Sequence, residues 1–284
     1  MMSEEFAFWR RQNTAPFSFP MEESVWRDSM FSDVDGDGRP LFSRLETSVS
    51  RRNGDITGLI QYGKTAFGFD ASGEISKQVS YSVIRTLCFD PAFPEDGETL
   101  LRSAMADLDS RERIYAFFHY FGMSVCARHG KLHESASHVE KLLLDNGFVI
   151  EHENVYYARA LTSLDTAPNS LRLIWGPLTP GGCRSFTAFA GQAEIGWGQV
   201  HFLPQGDIAY LRWLCIDEKR QHQGFGSGVL QQLFGQLYRM GIRRFDTDTA
   251  LSNTAAQSCY EKNGFSFEGI TRSYHTHGVS IQSW

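Results

Sequence analysis

The chain has 284 residues, of which 42% are hydrophobic and 21% charged, with a formal net charge of −6 at pH 7. No stretch reaches the roughly 20 apolar residues a membrane helix needs, and the acidic balance speaks against a nucleic-acid partner, whose phosphates need a basic footprint. The five cysteines (Cys88, Cys126, Cys183, Cys215, Cys259) are odd in number and never paired as CxxC, so they indicate neither a zinc ribbon nor a disulfide framework. With acid preceding any apolar run at the N-terminus, the expectation is a cytoplasmic protein with reduced thiols.

In chain order, helical signals cover residues 4–11 and 22–31. Asp33-Val34-Asp35-Gly36-Asp37-Gly38 then opens like a calcium loop, but Arg44 stands where the twelfth position needs Glu, and a solvated turn is expected. Strand signals follow at 41–50 and 56–69. Arg85-Thr86-Leu87-Cys88-Phe89-Asp90 is a further strand, followed by a turn, a helical pattern at 98–105 and a strand-like run at 113–118. A helix over 139–146 closes on Asn146-Gly147, since glycine accepts the left-handed conformation that ends a helix. Residues 161–170 hold turn-formers without periodicity and mark a boundary between domains 1–160 and 161–284.

The second domain repeats the order. Strand signals at 184–190 and 195–203 lead to Arg212-Trp213-Leu214-Cys215-Ile216-Asp217, which echoes the segment at 85–90. A helix follows at 228–238, then a strand at 243–247, then a helix closing on Asn263-Gly264, as the first half closes on Asn146-Gly147. Three echoes in one order imply a duplicated unit. The second copy lacks room for opening helices and is shorter. The expected fold is α/β: two tandem domains, each a mixed, mostly antiparallel sheet flanked by helices.

Gln221-His222-Gln223-Gly224-Phe225-Gly226-Ser227 joins the strand at 208–216 to an amphipathic helix carrying Val229, Leu230, Leu233, Phe234, Leu237 and Tyr238 on one face. The first amides of such a helix point at an incoming anion, the helix dipole adds partial positive charge, and glycines let a diphosphate approach the backbone. The loop is neither a Rossmann nor a Walker fingerprint.

Here the chain resembles the GNAT superfamily of N-acetyltransferases, whose coenzyme A loop reads Gln/Arg-x-x-Gly-x-Gly/Ala. Asn253, Ala256, Tyr260, Gly264 and Phe265 match the family's second motif. The resemblance implies that backbone groups of Leu214, Cys215 and Ile216 pair with the pantetheine arm. It implies that Gln221, His222, Gln223, Gly224, Phe225, Gly226 and Ser227 hold the diphosphate. It further implies that Asn253 contacts the pantetheine or orders its loop, and that Tyr260 protonates the departing thiolate. The residues alone also allow Tyr260 as a core aromatic and Asn253 as a helix cap. The strand position where many members carry Glu is Arg212 or Trp213, leaving Asp217, His201, Asp246 and Asp248 open as bases.

The first domain's loop, Asp90 through Thr99, has no paired glycines, two prolines and a cluster of acids, so it is expected to lack a coenzyme site. This plan is similar to that of mycothiol synthase-like acetyltransferases. The expected activity is acetyl-CoA-dependent N-acetylation of a small-molecule amine, or a peptide amine, by direct transfer. The alternatives are an acyl-CoA sensor without turnover, and a transferase for a longer acyl or an aminoacyl group. His275 and His277 lack a third ligand, and His129, His133 and His138 are only loosely clustered; no metal is expected.

Overall fold

The computed structural model describes residues 2–32, 34–35, 37–108, 112–126, 130–165 and 171–277. His129, Asp33, Gly36 and Thr166–Ser170 lie outside these residues. The elements in order are α1 (Glu4–Gln12), α2 (Glu23–Phe31), β1 (Phe42–Arg52), β2 (Asp55–Thr65), β3 (Gly68–Phe69), β4 (Ile75–Ser76), β5 (Ser82–Phe89) and α3 (Pro94–Asp107). Next come β6 (Ile114–Ala116), β7 (Leu132–His133), α4 (Ser137–Asp145), β8 (Phe148–Ala160), β9 (Leu171–Trp175), β10 (Cys183–Ala190), β11 (Ala193–Phe202) and β12 (Ile208–Ile216). The chain continues through α5 (Phe225–Arg239), β13 (Arg244–Ala250), α6 (Thr254–Lys262) and β14 (Ser266–Thr276).

Two compact units divide the chain: Met1–Asp35, Arg39–Glu153 and Thr271–Trp284 form unit 1, while Gly36–Gly38 and Asn154–Ile270 form unit 2. The sequence reading set the division at 160/161; contacts divide the chain within β8 and again within β14. In unit 1 the hairpin β1–β2 turns on Asn53 (φ 52°) and Gly54 (φ 94°), the pair of left-handed residues that a two-residue hairpin requires. β2 pairs antiparallel with β5, β5 pairs parallel with β6, and β6 pairs antiparallel with β14 through Tyr274 and His275. On one face, α1 buries Phe6, Phe8 and Trp9, and α2 buries Trp26 and Met30. Ser3 caps α1 by accepting from the Phe6 amide, with Glu4 and Glu5 at its positive end and Arg10 and Arg11 at its negative end. A second core joins Leu87 and Phe89 of β5 to Leu100, Leu101 and Ala104 of α3 and to Val139, Leu142 and Leu143 of α4.

Unit 2 has the strand order β8, β13, β12, β11, β10, β9, antiparallel throughout except for the β12–β13 pair. Its β8 segment, Asn154 to Ala160, matches β13 residue for residue. The closing strand of each unit therefore comes from the other half of the sequence. β8 and β14 each follow a helix stopped at Asn-Gly, with φ +81° at Gly147 and +79° at Gly264. The core of unit 2 lies on the α5/α6 side of the sheet, where Val229, Leu230, Leu233, Phe234 and Leu237 meet Phe186, Ala188, Val200, Ala209 and Leu211. Burying such side chains stabilises by about 1.5–3 kcal/mol each.

Candidate active site

Arg212 is an extra residue on β12: Gln199 pairs with Trp213 and Val200 with Leu211, leaving Arg212 without an opposite number. A bulge of this kind bends and twists its strand. On the other edge the parallel ladder with β13 runs only from Ile208↔Arg244 to Leu211↔Thr247, so β12 and β13 part at the bulge. Residues Arg212 to Ile216 thus keep one strand edge without a strand partner among the described residues, which is where an extended chain finds backbone groups to pair with. Leu214 and Ile216 are half-buried there and Cys215 is exposed.

After Ile216 the chain turns back on itself. Asp217 accepts from the Lys219 amide, and the Gln221 amide side chain donates to the Ile216 carbonyl at 3.0 Å, fastening the loop to the strand end. The Gln223 side chain donates to the Lys219 carbonyl at 2.9 Å. Both glutamines are loop clamps. Backbone at His222 (φ 60°) and Gly224 (φ 82°) enters the left-handed region, a geometry that turns successive N–H groups to one side. The first α5 amide to find a helical acceptor is that of Gly228, bonded to the Gly224 carbonyl. Those of Phe225, Gly226 and Ser227 meet none among the described residues, and the first turn of α5 contains no acid. A Cβ at Gly226 would meet only Cys259 Sγ at 3.6 Å and Ile216 Cγ1 at 3.9 Å. The protein itself does not require glycine there, whereas a ligand lying on the backbone would.

Helix α6 reaches this place from the other side. Asn253 is its N-cap, its side-chain oxygen accepting from the Ala256 amide at 3.1 Å. Of its two sequence readings, capping is the one the geometry displays. Tyr260 is 8% exposed and packs on Tyr157 and Phe265, with ring centroids 5.7 and 5.5 Å away. Burial pushes the pKa of its hydroxyl up to about 12, a rise tempered by nearby Thr247, the last residue of the β12–β13 ladder. A phenol so placed stays protonated at neutral pH, as a proton donor must. Cys259 and Asn263, four residues apart on one stripe of α6, were missed in the sequence although that spacing pairs them. Asn263 Nδ2 donates to Ser227 Oγ at 2.9 Å, tying α6 to the first turn of α5.

The four base candidates separate. Asp217 is an exposed turn cap. Asp246 is fully buried, ion-paired to Arg244 at 2.8 Å and bonded by the Tyr156 hydroxyl at 2.7 Å; burial raises its pKa. His201 is 1% exposed. Asp248 is half-buried, one residue beyond Thr247, and accepts from the Tyr210 hydroxyl and the Asn154 amide. Among these four, Asp248 alone combines partial exposure with a place where β12 and β13 part. Among the described residues no group of three or more His, Cys, Asp or Glu side chains has the geometry of a metal site. No described helix is long and apolar enough to cross a membrane.

A mixed sheet that opens between its one parallel pair, beside a helix start with unbonded amides, defines an α/β domain with a free strand edge and a helix start suited to an anion. Residues 151–265 match the model of the acetyltransferase (GNAT) family. The ribosomal protein bS18-alanine N-acetyltransferase of Escherichia coli K12 is 33% identical over 69 residues, covering 24% of this chain and 47% of that protein. The chain thus spans about half the length of the curated relatives it matches. Among solved structures, a tandem GNAT protein from the clavulanic acid biosynthesis pathway superposes with a TM-score of 0.60 at 12% identity, covering 95% of this chain and 92% of the other. An acetyltransferase of the GNAT family from Colwellia psychrerythraea gives 0.52 at 11% identity, covering 95% and 93%. These likenesses establish the fold: two GNAT-like domains in tandem.

Proposed function

We propose that the chain is an acetyl-CoA-dependent N-acetyltransferase whose single working site lies in unit 2. The observation that carries this reading is the set of unbonded amides of Phe225, Gly226 and Ser227, next to the parting of β12 from β13 and the buried Tyr260 hydroxyl. In this reading the diphosphate lies on the start of α5, and the pantetheine arm runs along Leu214, Cys215 and Ile216. The amine attacks the thioester carbonyl, its nitrogen–carbon bond forms as the carbon–sulfur bond breaks, and Tyr260 gives its proton to the departing sulfur. Asp248 takes the proton that the amine sheds. The rest of the acceleration comes from holding amine and thioester in line.

The acceptor is a small-molecule amine or the α-amino group of a peptide; the bS18-alanine acetyltransferase relative supports testing peptides that begin with alanine. The deciding experiment measures coenzyme A release from acetyl-CoA against a panel of amines and alanine-initiated peptides. Amine-dependent release is the expected outcome. Tight binding of acetyl-CoA without release from any acceptor would make the chain a sensor, and faster release from longer acyl thioesters would make it a different transferase. Asp248→Asn should lower turnover about a hundredfold. Acetyl-CoA affinity should stay unchanged.

A further inference from the structure

The two sheets differ in what covers the face turned away from α3/α4 in unit 1 and from α5/α6 in unit 2. Gln61 pairs with Thr86 and Tyr62 with Ile84, so Arg85 is an extra residue on β5, as Arg212 is on β12. Counted from these bulges, Gln61 opposite Thr86 matches Gln199 opposite Trp213, and Leu59 opposite Cys88 matches Trp197 opposite Cys215. In unit 1, α1 packs on β2, and the Gln61 side chain donates to the Met30 carbonyl of α2 at 2.9 Å; Leu59 and Gln61 are fully buried. Among the described residues of unit 2 the α-helices are α5 and α6, both on the other face of their sheet. Trp197 is 50% exposed and Trp213 55%, and Cys215 is exposed beside them. Leu214 and Ile216 pack on the α5/α6 core, so alternation turns Trp213 and Cys215 to the face without helices. Leu211 and Phe245 lie in that core too, which puts Tyr210 and Asp248, joined by the Tyr210 hydroxyl, on the face of the indoles.

We propose that Trp213 and Trp197 bind the body of the acceptor, a primary amine bearing an aromatic or aliphatic group, with its nitrogen between β12 and β13 beside Asp248. The acceptor role rests on the transferase reading of the same site. Trp213 stands two residues past Leu211 and Asp248 one past Thr247, the pair at which the β12–β13 ladder ends, so indole and carboxylate flank the opening. Two residues of strand cover about 7 Å, a distance that a short alkyl linker between nitrogen and ring spans. Trp197 is the diagonal neighbour of Trp213 across the β11–β12 pair, within reach of the same body. Neither indole meets another ring or makes a hydrogen bond among the described residues, so both π-faces stay available. The row continues outward: Thr187 lies opposite Trp197, and Ile174, half exposed, lies opposite Thr187. A contiguous apolar track of this kind marks a binding surface. Its inner end decides the occupant, because Trp213 directly precedes Leu214, the first residue along which the pantetheine arm runs in that reading.

The test compares phenethylamine, phenylbutylamine and ethanolamine as acceptors for the full chain. The kcat/KM for phenethylamine should exceed that for ethanolamine by about tenfold or more. Trp213→Ala should lower this ratio about tenfold, mainly through the KM of phenethylamine, and Trp213→Phe should restore most of it. Trp197→Ala should cost phenylbutylamine more than phenethylamine. Both indoles are half exposed, so these variants keep the fold. The proposal is overturned if ethanolamine serves as well, if Trp213→Ala slows both amines alike, or if it raises the KM of acetyl-CoA instead. It is overturned too if Trp197→Ala splits a dimer and leaves the amine ratio as it was, which would make this face a contact between copies. If no amine is turned over, the transferase reading falls and calorimetry with phenethylamine decides the binding site by itself. Binding that weakens in Trp213→Ala upholds the site, and absence of binding overturns it.

Discussion

Helices α3 and α5 start at the same place in two sheets of the same design, yet only one start is open. Both follow a strand bulged at an arginine, Arg85 or Arg212, and both carry glycine at the fourth helical position, Gly97 or Gly228. In α3 the preceding loop consumes its own amides, Pro91 and Pro94 have none to give, and Glu95 and Asp96 are held by Arg52. The pull of Arg52 and Thr57 holds the Asp96 carboxyl below the usual range, so this end of the helix stays negative. In α5 the equivalent positions are Gly226 and Ser227, uncharged, with amides left over. One fold supports both, because a helix start is stabilised as well by its own acids as by a bound anion. The difference between a coenzyme site and a closed turn is therefore a matter of four or five residues.

The comparison breaks most sharply by exchanging one of them. Gly226→Glu places the residue of unit 1 at the open start, and acetyl-CoA binding should be lost beyond detection in calorimetry. The melting temperature of the free protein should hardly move, since the added Cβ meets nothing closer than 3.6 Å. Tyr260→Phe sharpens the chemical half of the comparison: turnover should fall about tenfold or more while the affinity for acetyl-CoA stays put. Undiminished turnover would leave Tyr260 a core aromatic. The smallest effect belongs to the closed start. A Cβ on Gly97 would lie 2.5 Å from the Phe89 ring, so Gly97→Ala should destabilise unit 1 by about 1–3 kcal/mol in denaturant unfolding. Acetyl-CoA binding should not change.

The parts of this molecule that are readable from its sequence are the local ones. The loop at 221–227 announces itself through glycine spacing and a following amphipathic face, and Asn146-Gly147 and Asn263-Gly264 stop their helices where the left-handed glycines say they must. Site residues defined by a partner far along the chain stayed hidden. Asp248 is one acid among several until β8 brings Asn154, and β12 brings Tyr210, against it. Alternating patterns identify β8 and β14 as strands without naming the edge each will join, because pairing is settled by packing between distant segments.

The provenance of the closing strands has a consequence for how this gene can be cut or inherited. A fragment beginning at residue 161 would carry the whole glycine loop and Tyr260, yet it would present the seven-residue β13 with a bare edge where Asn154 to Ala160 belong. Such an edge recruits whatever strand is at hand, including another copy of itself. Recombination at the apparent seam between the halves would thus yield sticky products, and the two copies are bound to evolve as one heritable block.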